Sequence, residues 1–103
     1  MKFGFFTHMP WPEDRTPDQI IGETTEQVQH AEELGFCSAW LAEHHFSNYG
    51  YLSRPILMAT HLASKTKRIR IGTCVIVLPL HNPLVVAEEV ATTDLLSEGR
   101  FDL

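Results

Sequence analysis

Four of the six histidines lie directly after predicted strands, where function gathers in parallel α/β proteins. His8 follows the first predicted strand, His44 and His45 follow the second, and His81 follows the third. Because histidine changes protonation near neutral pH, a histidine at a strand end can act as a general acid or base. The sequence therefore predicts that chemistry, if present, lies along one edge of a sheet.

The most informative segment is Glu43-His44-His45-Phe46. Adjacent residues in extended chain point to opposite sides, so His44 and His45 do not readily share one metal ion. We expect one of them to face a pocket and the other to pack or cap. Two alternatives stay open at this point: a polar loop without a catalytic role, and a metal site. The metal site would draw on His8, His44 and His81, which lack the close spacing that usually anchors such sites.

A second informative segment runs from Gly72 to Pro79, and it reads as a core strand that enters a turn. The C-terminal half of this segment would border the same pocket. Cys74 is interpreted as a buried small hydrophobe, the usual situation of a free cysteine. Cys37 and Cys74 have neither metal nor redox spacing, which is typical of a protein in the reducing cytoplasm.

Strands and helices alternate along the chain, as a parallel α/β sheet requires. Thr16 and Gln19 predict a capping box for the first helix, and Gly35 predicts its end. Ser53 is expected to cap the second helix, with Pro55 in its first turn. The predicted strands are Lys2–Phe6, Phe36–Leu41, Ile69–Leu78 and Phe101–Leu103.

The third predicted helix begins at Asn82-Pro83 and ends at Gly99. Its inward-facing residues are expected to be Val86, Val90 and Leu95.

The predicted strands recur at intervals of about 34, 33 and 32 residues, close to the roughly 31 per unit of a (β/α)8 TIM barrel. A Rossmann fold needs a glycine-rich turn after its first strand, and residues 7–12 contain no glycine. We therefore predict three to four βα units of a barrel, with parallel strands and flanking helices. Residues 1–103 are interpreted as a single partial domain that is truncated at the start of the fourth strand.

The composition weighs against two classes of partner. The net charge is −5, whereas phosphate binding by nucleic-acid proteins needs clustered lysine and arginine. The longest apolar run, Cys74 to Leu80, is far shorter than a membrane span. The sequence therefore predicts neither a nucleic-acid partner nor a membrane partner.

Taken together, several segments resemble the bacterial luciferase-like monooxygenases, flavin-dependent oxidoreductases, over essentially all 103 residues. Each motif alone is weak, but their order and spacing fit the N-terminal portion of that family. The segments that carry the resemblance are Lys2-Phe3-Gly4, Glu43–Phe46, Arg70–Thr73, Val77–Pro79, His81-Asn82-Pro83, Ala87-Glu88-Glu89 and Ser97–Phe101.

The resemblance implies a barrel that binds reduced FMN in its mouth and uses O2 to oxygenate a small organic substrate. It also implies a separate flavin reductase and a homo-oligomer. By this resemblance, His44 is the candidate catalytic acid or base beside the flavin, and Glu43 is expected near the isoalloxazine ring. Cys74 and Val75 border the flavin, and a non-proline cis peptide is expected between them.

The phosphate-binding groups of the family lie on later strands, so this chain alone is expected to bind FMN weakly and to be inactive. Two alternatives to the oxygenase remain. One is a deazaflavin-dependent oxidoreductase of the same superfamily. The other is a non-catalytic βα module that self-associates to cover its open sheet edges. A metal-dependent hydrolase is a further possibility, with stoichiometric zinc or iron as its signature.

Overall fold

The computed structural model describes residues 1–103. It contains a four-stranded parallel sheet whose strands lie side by side in chain order, with three α-helices between them in sequence. The predicted alternation is confirmed, and every strand is shorter than predicted. The elements are β1 (Gly4–Thr7), α1 (Pro17–Glu33), β2 (Ser38–Leu41), α2 (Pro55–Lys65), β3 (Arg70–Thr73), α3 (Pro83–Leu96) and β4 (Phe101–Asp102).

Helix α1 begins at the predicted capping box. The Gln19 backbone N–H donates to Thr16 Oγ1 at 3.3 Å, and the Thr16 N–H donates to Gln19 Oε1 at 2.9 Å. Gly35 follows the helix with φ +87°, a left-handed conformation that glycine adopts without steric cost. The buried stripe of α1 has the predicted helical spacing: Ile20, Thr24, Val28 and Ala31.

Helix α2 begins at Pro55, one residue later than a cap at Ser53 would place it. Arg54, not Ser53, occupies the cap position, and its side chain makes no capping hydrogen bond. The predicted Ser53 cap is therefore wrong. Pro55 supplies the start instead, because proline fixes a helical φ and has no N–H that needs a partner.

Helix α3 begins as predicted, with Asn82 Oδ1 accepting the Leu84 N–H at 2.9 Å. The predicted inward position of Leu95 is wrong, since its side chain is 80% exposed. Leu95 comes nine residues after Val86, which puts the two half a turn out of phase at about 100° per residue. Thr93 is buried instead, and its hydroxyl bonds to the Thr60 hydroxyl at 3.0 Å.

The predicted third strand, Ile69–Leu78, ends early, at Thr73. Its last pair with β2 joins Thr73 to Leu41. Beyond that point the Val77 N–H donates to a side chain and is lost to the ladder. A short 3-10 helix then covers Leu78–Leu80. Cys74 and Val75 each still make one backbone hydrogen bond to the β2 side, and from Val77 onward a side chain takes over.

The main core lies between the sheet and the helices. The Trp40 ring lies on the opposite face of the sheet and covers Gly72, where a Cβ would collide with the indole. No helix in the structure has the length and apolar character that a membrane crossing needs. The sheet residues in register on the helix side are Phe5, Ala39, Ile71 and Phe101.

Candidate functional site

The loops after β1, β2 and β3 meet at the carboxyl edge of the sheet. The Tyr51 N–H donates to the Met9 carbonyl at 2.8 Å, which joins the loop after β2 to the loop after β1. The Glu43 N–H donates to the Val75 carbonyl at 3.3 Å, which joins the loop after β2 to the loop after β3. The structure thus brings together the three strand ends that the sequence singled out.

Glu43 is the buried centre of this edge, and its side chain is fully shielded from solvent. One carboxylate oxygen, Oε1, accepts from His45 Nε2 at 2.5 Å and from His81 Nε2 at 2.7 Å. The other oxygen, Oε2, accepts the Val77 N–H at 2.9 Å. One carboxylate therefore ties its own loop to the segment that follows β3.

These hydrogen bonds decide the charge state of Glu43. Burial by itself raises the pKa of a carboxyl, because the charged form loses its hydration. The hydrogen bonds from His45, the Val77 N–H and His81 outweigh that effect, so the pKa of Glu43 lies below its ordinary value of 4.5. Glu43 is therefore an anion at neutral pH and accepts all three bonds at once.

Arg54 fixes the tautomer of His81. Its Nη1 lies 2.6 Å from His81 Nδ1, and because arginine can only donate, Nδ1 must accept. His81 then carries its proton on Nε2 and donates it to Glu43. Glu43, His45 and His81 lie close enough together to hold a metal ion. A metal ion on His81 Nε2 would displace that proton. Because Nδ1 accepts from Arg54, the ring would then carry no proton at all, so the Arg54–His81 hydrogen bond disfavours a metal centre.

His44 belongs to a different cluster, which is built of rings. Its imidazole lies 5.9 Å from the His8 ring and 5.0 Å from the Tyr49 ring, centroid to centroid. The His44 and His45 side chains thus lie in different clusters, as the alternation of side chains along an extended chain predicts. The metal alternative built on His8, His44 and His81 is wrong, because His81 lies in the Glu43 cluster instead.

The Cys74–Val75 peptide is cis, as the family resemblance implied. The Cys74 N–H donates to the Leu41 carbonyl at 2.7 Å, so this peptide directly follows the last pairing of β3 with β2. Cys74 is exposed, and the expectation that it is buried is wrong. Val75 is 61% exposed, so both residues present surface at the carboxyl edge.

Three residues of the site were not singled out by the sequence reasoning: Arg54, Tyr49 and Gly50. Tyr49 and Gly50 lie in the loop between β2 and α2. Their position a few residues after the histidine pair was the available signal. Arg54 gave no such signal, because its partner His81 is 27 positions away in sequence.

Residues 1–103 match the family described as luciferase-like monooxygenase. The chain belongs to that family. It is 38% identical over its whole length to the oxygenase component of the flavin-dependent trigonelline monooxygenase of Acinetobacter baylyi, covering 29% of that protein. It is also 38% identical, over 98% of its length, to the alkanal monooxygenase alpha chain of the Kryptophanaron alfredi symbiont, covering 28% of that chain.

A solved member of this family has the same fold. Monooxygenase RslO1 from Streptomyces bottropensis superposes with a TM-score of 0.94 at 31% identity, with all of this chain matched to 32% of that one. The four strands and three helices therefore have the architecture of the first units of a luciferase-like (β/α)8 barrel. The chain spans between about a quarter and a third of the length of the relatives it matches.

Proposed function

We propose that these residues form the first units of a flavin-dependent monooxygenase that uses reduced FMN and O2 to oxygenate a small organic substrate. The observation that carries the proposal is the carboxyl edge itself. There His44 and the exposed Cys74–Val75 peptide lie on neighbouring loops, and Glu43 joins those loops. The names of relatives support the chemistry, since two of them are monooxygenases and one is called flavin-dependent.

The residues present fit the ring of a flavin better than its phosphate. Cys74 and Val75 offer exposed, uncharged surface for a planar ring. Arg54, at the same edge, is already bonded to His81. We therefore propose that phosphate-binding groups come from a later part of a full-length protein, and that residues 1–103 alone bind reduced FMN weakly.

Each site residue has a proposed task. Reduced FMN supplies the electrons for the reaction with O2. His44 holds or delivers a proton at the edge of the flavin site. Glu43 holds the Val75–Val77 backbone through its hydrogen bonds, so that Cys74 and Val75 keep one position against the flavin ring. The Glu43 carboxylate is shielded and does not touch the flavin ring in this proposal. Glu43 contributes to cofactor binding indirectly, by holding the backbone that contacts the ring.

One relative is named as the oxygenase component of its enzyme, which favours a second component, a separate reductase, as the source of reduced FMN. We also propose a homo-oligomer in the cytoplasm. Exposed apolar side chains on α3, among them Leu84 and Leu96, favour association. The free cysteines Cys37 and Cys74 favour a reducing compartment. Light scattering on the full-length protein measures the oligomeric state.

The test uses the full-length protein under anaerobic conditions. Reduced FMN is titrated first, and the complex is then mixed with ¹⁸O₂ and either straight-chain aldehydes or trigonelline, the substrate classes that the relatives' names suggest. We expect stoichiometric binding and one ¹⁸O atom in the product. Failure to bind reduced FMN would overturn the proposal. Preferential binding of a deazaflavin, without reaction with O2, would support the deazaflavin oxidoreductase instead.

A further inference from the structure

The loops after β1 and β2 bring two rings, His8 and Tyr49, against the His44 imidazole. The rings of His8 and Tyr49 stack on each other, with centroids 4.4 Å apart and planes 13° from parallel. The His44 ring lies perpendicular to both, at 84° to His8 and 85° to Tyr49. The stack therefore forms a wall against which His44 packs in one orientation.

Gly50 closes the other side of this arrangement. A Cβ at position 50 would lie 2.6 Å from His44 Cδ2 and 2.6 Å from the His8 carbonyl oxygen. Gly50 is buried, and its φ lies outside the left-handed region. Glycine is therefore required here for space and not for backbone conformation.

His44 differs in this respect from His45 and His81, whereas the His8 ring, like the His44 ring, contacts other rings. His45 and His81 are held through their ring nitrogens, which bond to Glu43. The His44 ring takes part in none of the side-chain hydrogen bonds of the structure, and its contacts are with aromatic rings. A group that transfers a proton must keep a nitrogen free for the reacting partner. In His44 neither ring nitrogen is held by a side-chain hydrogen bond, so ring packing is what orients this imidazole.

His8, Tyr49 and Gly50 form a cradle for the His44 ring, with the two stacked rings as its wall and Gly50 as its floor. The backbone on both sides of this cradle is fixed. The His44 N–H donates to the Leu52 carbonyl at 2.7 Å, so the loop closes on itself immediately beyond Gly50. The Tyr51 N–H donates to the Met9 carbonyl, which holds the neighbouring His8 in place. The wall and the floor of the cradle are therefore parts of one braced unit.

We propose that His8, Tyr49 and Gly50 are positioning residues that set the orientation of the His44 imidazole. For its catalytic consequence this inference rests on the proposed function. The geometric part stands on its own, because the ring contacts exist whatever reaction the protein performs.

The test compares Tyr49→Leu, Tyr49→Phe and Gly50→Ala in the full-length protein. Gly22→Ala is the matched control, because a Cβ at that position of α1 meets nothing within 4 Å. Histidine-labelled protein gives ¹H–¹³C ring resonances, and the His44 signal is assigned by its loss in His44→Ala. The oxygenation rate and KM are measured with the aldehyde or with trigonelline, whichever the ¹⁸O₂ experiment identifies as a substrate.

We expect Tyr49→Leu to move the His44 resonances and to lower kcat about tenfold, with KM changed less than about twofold. Gly50→Ala is expected to move them further and to lower kcat by about ten- to a hundredfold, because a misplaced catalytic group is costly. Tyr49→Phe keeps the ring and should match the wild type. Gly22→Ala should do the same.

Unmoved His44 resonances in a folded Tyr49→Leu protein would overturn the inference, and this variant keeps the test valid if Gly50→Ala does not fold. Full activity in His44→Ala would overturn the proposed role of His44 in catalysis. In that case the resonances would still report whether Tyr49 and Gly50 orient the ring, so the two failures are distinguishable.

Discussion

Both ends of the sheet fasten a loop with a glutamate, but the partners of the two glutamates differ. At the amino ends, Glu32 accepts the backbone N–H groups of Lys67, Arg68 and Ile69. At the carboxyl ends, Glu43 accepts one backbone N–H and two histidine rings. Backbone amides keep their protons at every ordinary pH, whereas histidine can change its charge near neutral pH.

A second bond network strengthens the amino end. The Arg100 guanidinium donates to the carbonyls of Ala63, Thr66 and Ile69 and to the Thr66 hydroxyl, which binds the loop after α2 to the start of β4. The amino end thus consists of donors and acceptors that keep their protonation state near neutral pH, which suits stability. The carboxyl end contains groups that can exchange protons, which suits chemistry. This division is the one expected of barrel enzymes.

The largest expected effect is on activity and comes from the carboxyl end. His44→Ala should lower the oxygenation rate of the full-length protein by about 10²- to 10⁴-fold, the usual contribution of a general acid or base. The matched control is His30→Ala at the exposed end of α1, where the imidazole pairs only with Glu33. A similar loss in both variants would remove the contrast between catalytic and structural histidines.

One substitution made at both ends sharpens the comparison. Glu43→Gln sets an amide among three donors, so we expect the free energy of unfolding to fall by about 2–3 kcal/mol and the oxygenation rate to fall about tenfold. Glu32→Gln keeps an acceptor oxygen at a partly exposed site and should cost about 1 kcal/mol, with the rate unchanged. Denaturant unfolding and turnover are measured on both proteins. Equal rate losses would contradict the division.

The pH dependence of stability isolates the amino-end clamp. Burial raises the pKa of Glu32. The opposing effect is larger, so the pKa lies below its ordinary value of 4.5; it comes from the hydrogen bonds of three backbone N–H groups and from the Arg68 charge, the N–H groups being those of Ile69, Arg68 and Lys67. A depressed pKa stabilises the fold fully above the unfolded value of 4.5, and this contribution disappears as the pH falls through the lower folded value. Thermal unfolding between about pH 7 and pH 3 should therefore show a shallower acid decline for Glu32→Gln than for the wild type. Parallel curves would disprove this.

The smallest effect is expected from Asp102, which pairs with Arg70 at 2.6 Å. The Arg70 guanidinium lowers the pKa of the Asp102 carboxyl, but both side chains are about a third exposed or more, and solvent screens the pair. Asp102→Asn should change the free energy of unfolding by less than about 1 kcal/mol. A change of several kcal/mol, measured by denaturant unfolding, would show that the pair acts as a buried one.

Local sequence signals were sufficient for most of the fold. The capping box at Thr16 and the stripe on α1 depend on neighbours a few positions away, and both were predicted correctly. The end of β3 was predicted wrongly because the residues after Thr73 look like strand, while the group that takes the Val77 N–H is 34 positions away.

Only part of the candidate site was predictable from the sequence. The position at a strand end singled out His44 as a candidate, and its role stays a prediction. Alternation predicted that His44 and His45 do not share one site, and the two lie in different clusters. The contacts that orient them were not readable, because Tyr49 and Gly50 act through ring packing and close approach in three dimensions. The role of Glu43 toward a flavin remains a prediction.

The shielded carboxylate of Glu43 has a consequence for engineering. Its three donors come from residues 45, 77 and 81, on two separate loops. A graft that brings in either loop from a relative would therefore leave donors or acceptors unmatched in a shielded place. Chimaeras of this family should exchange residues 43–45 and 77–81 as one cassette, with Arg54 carried along.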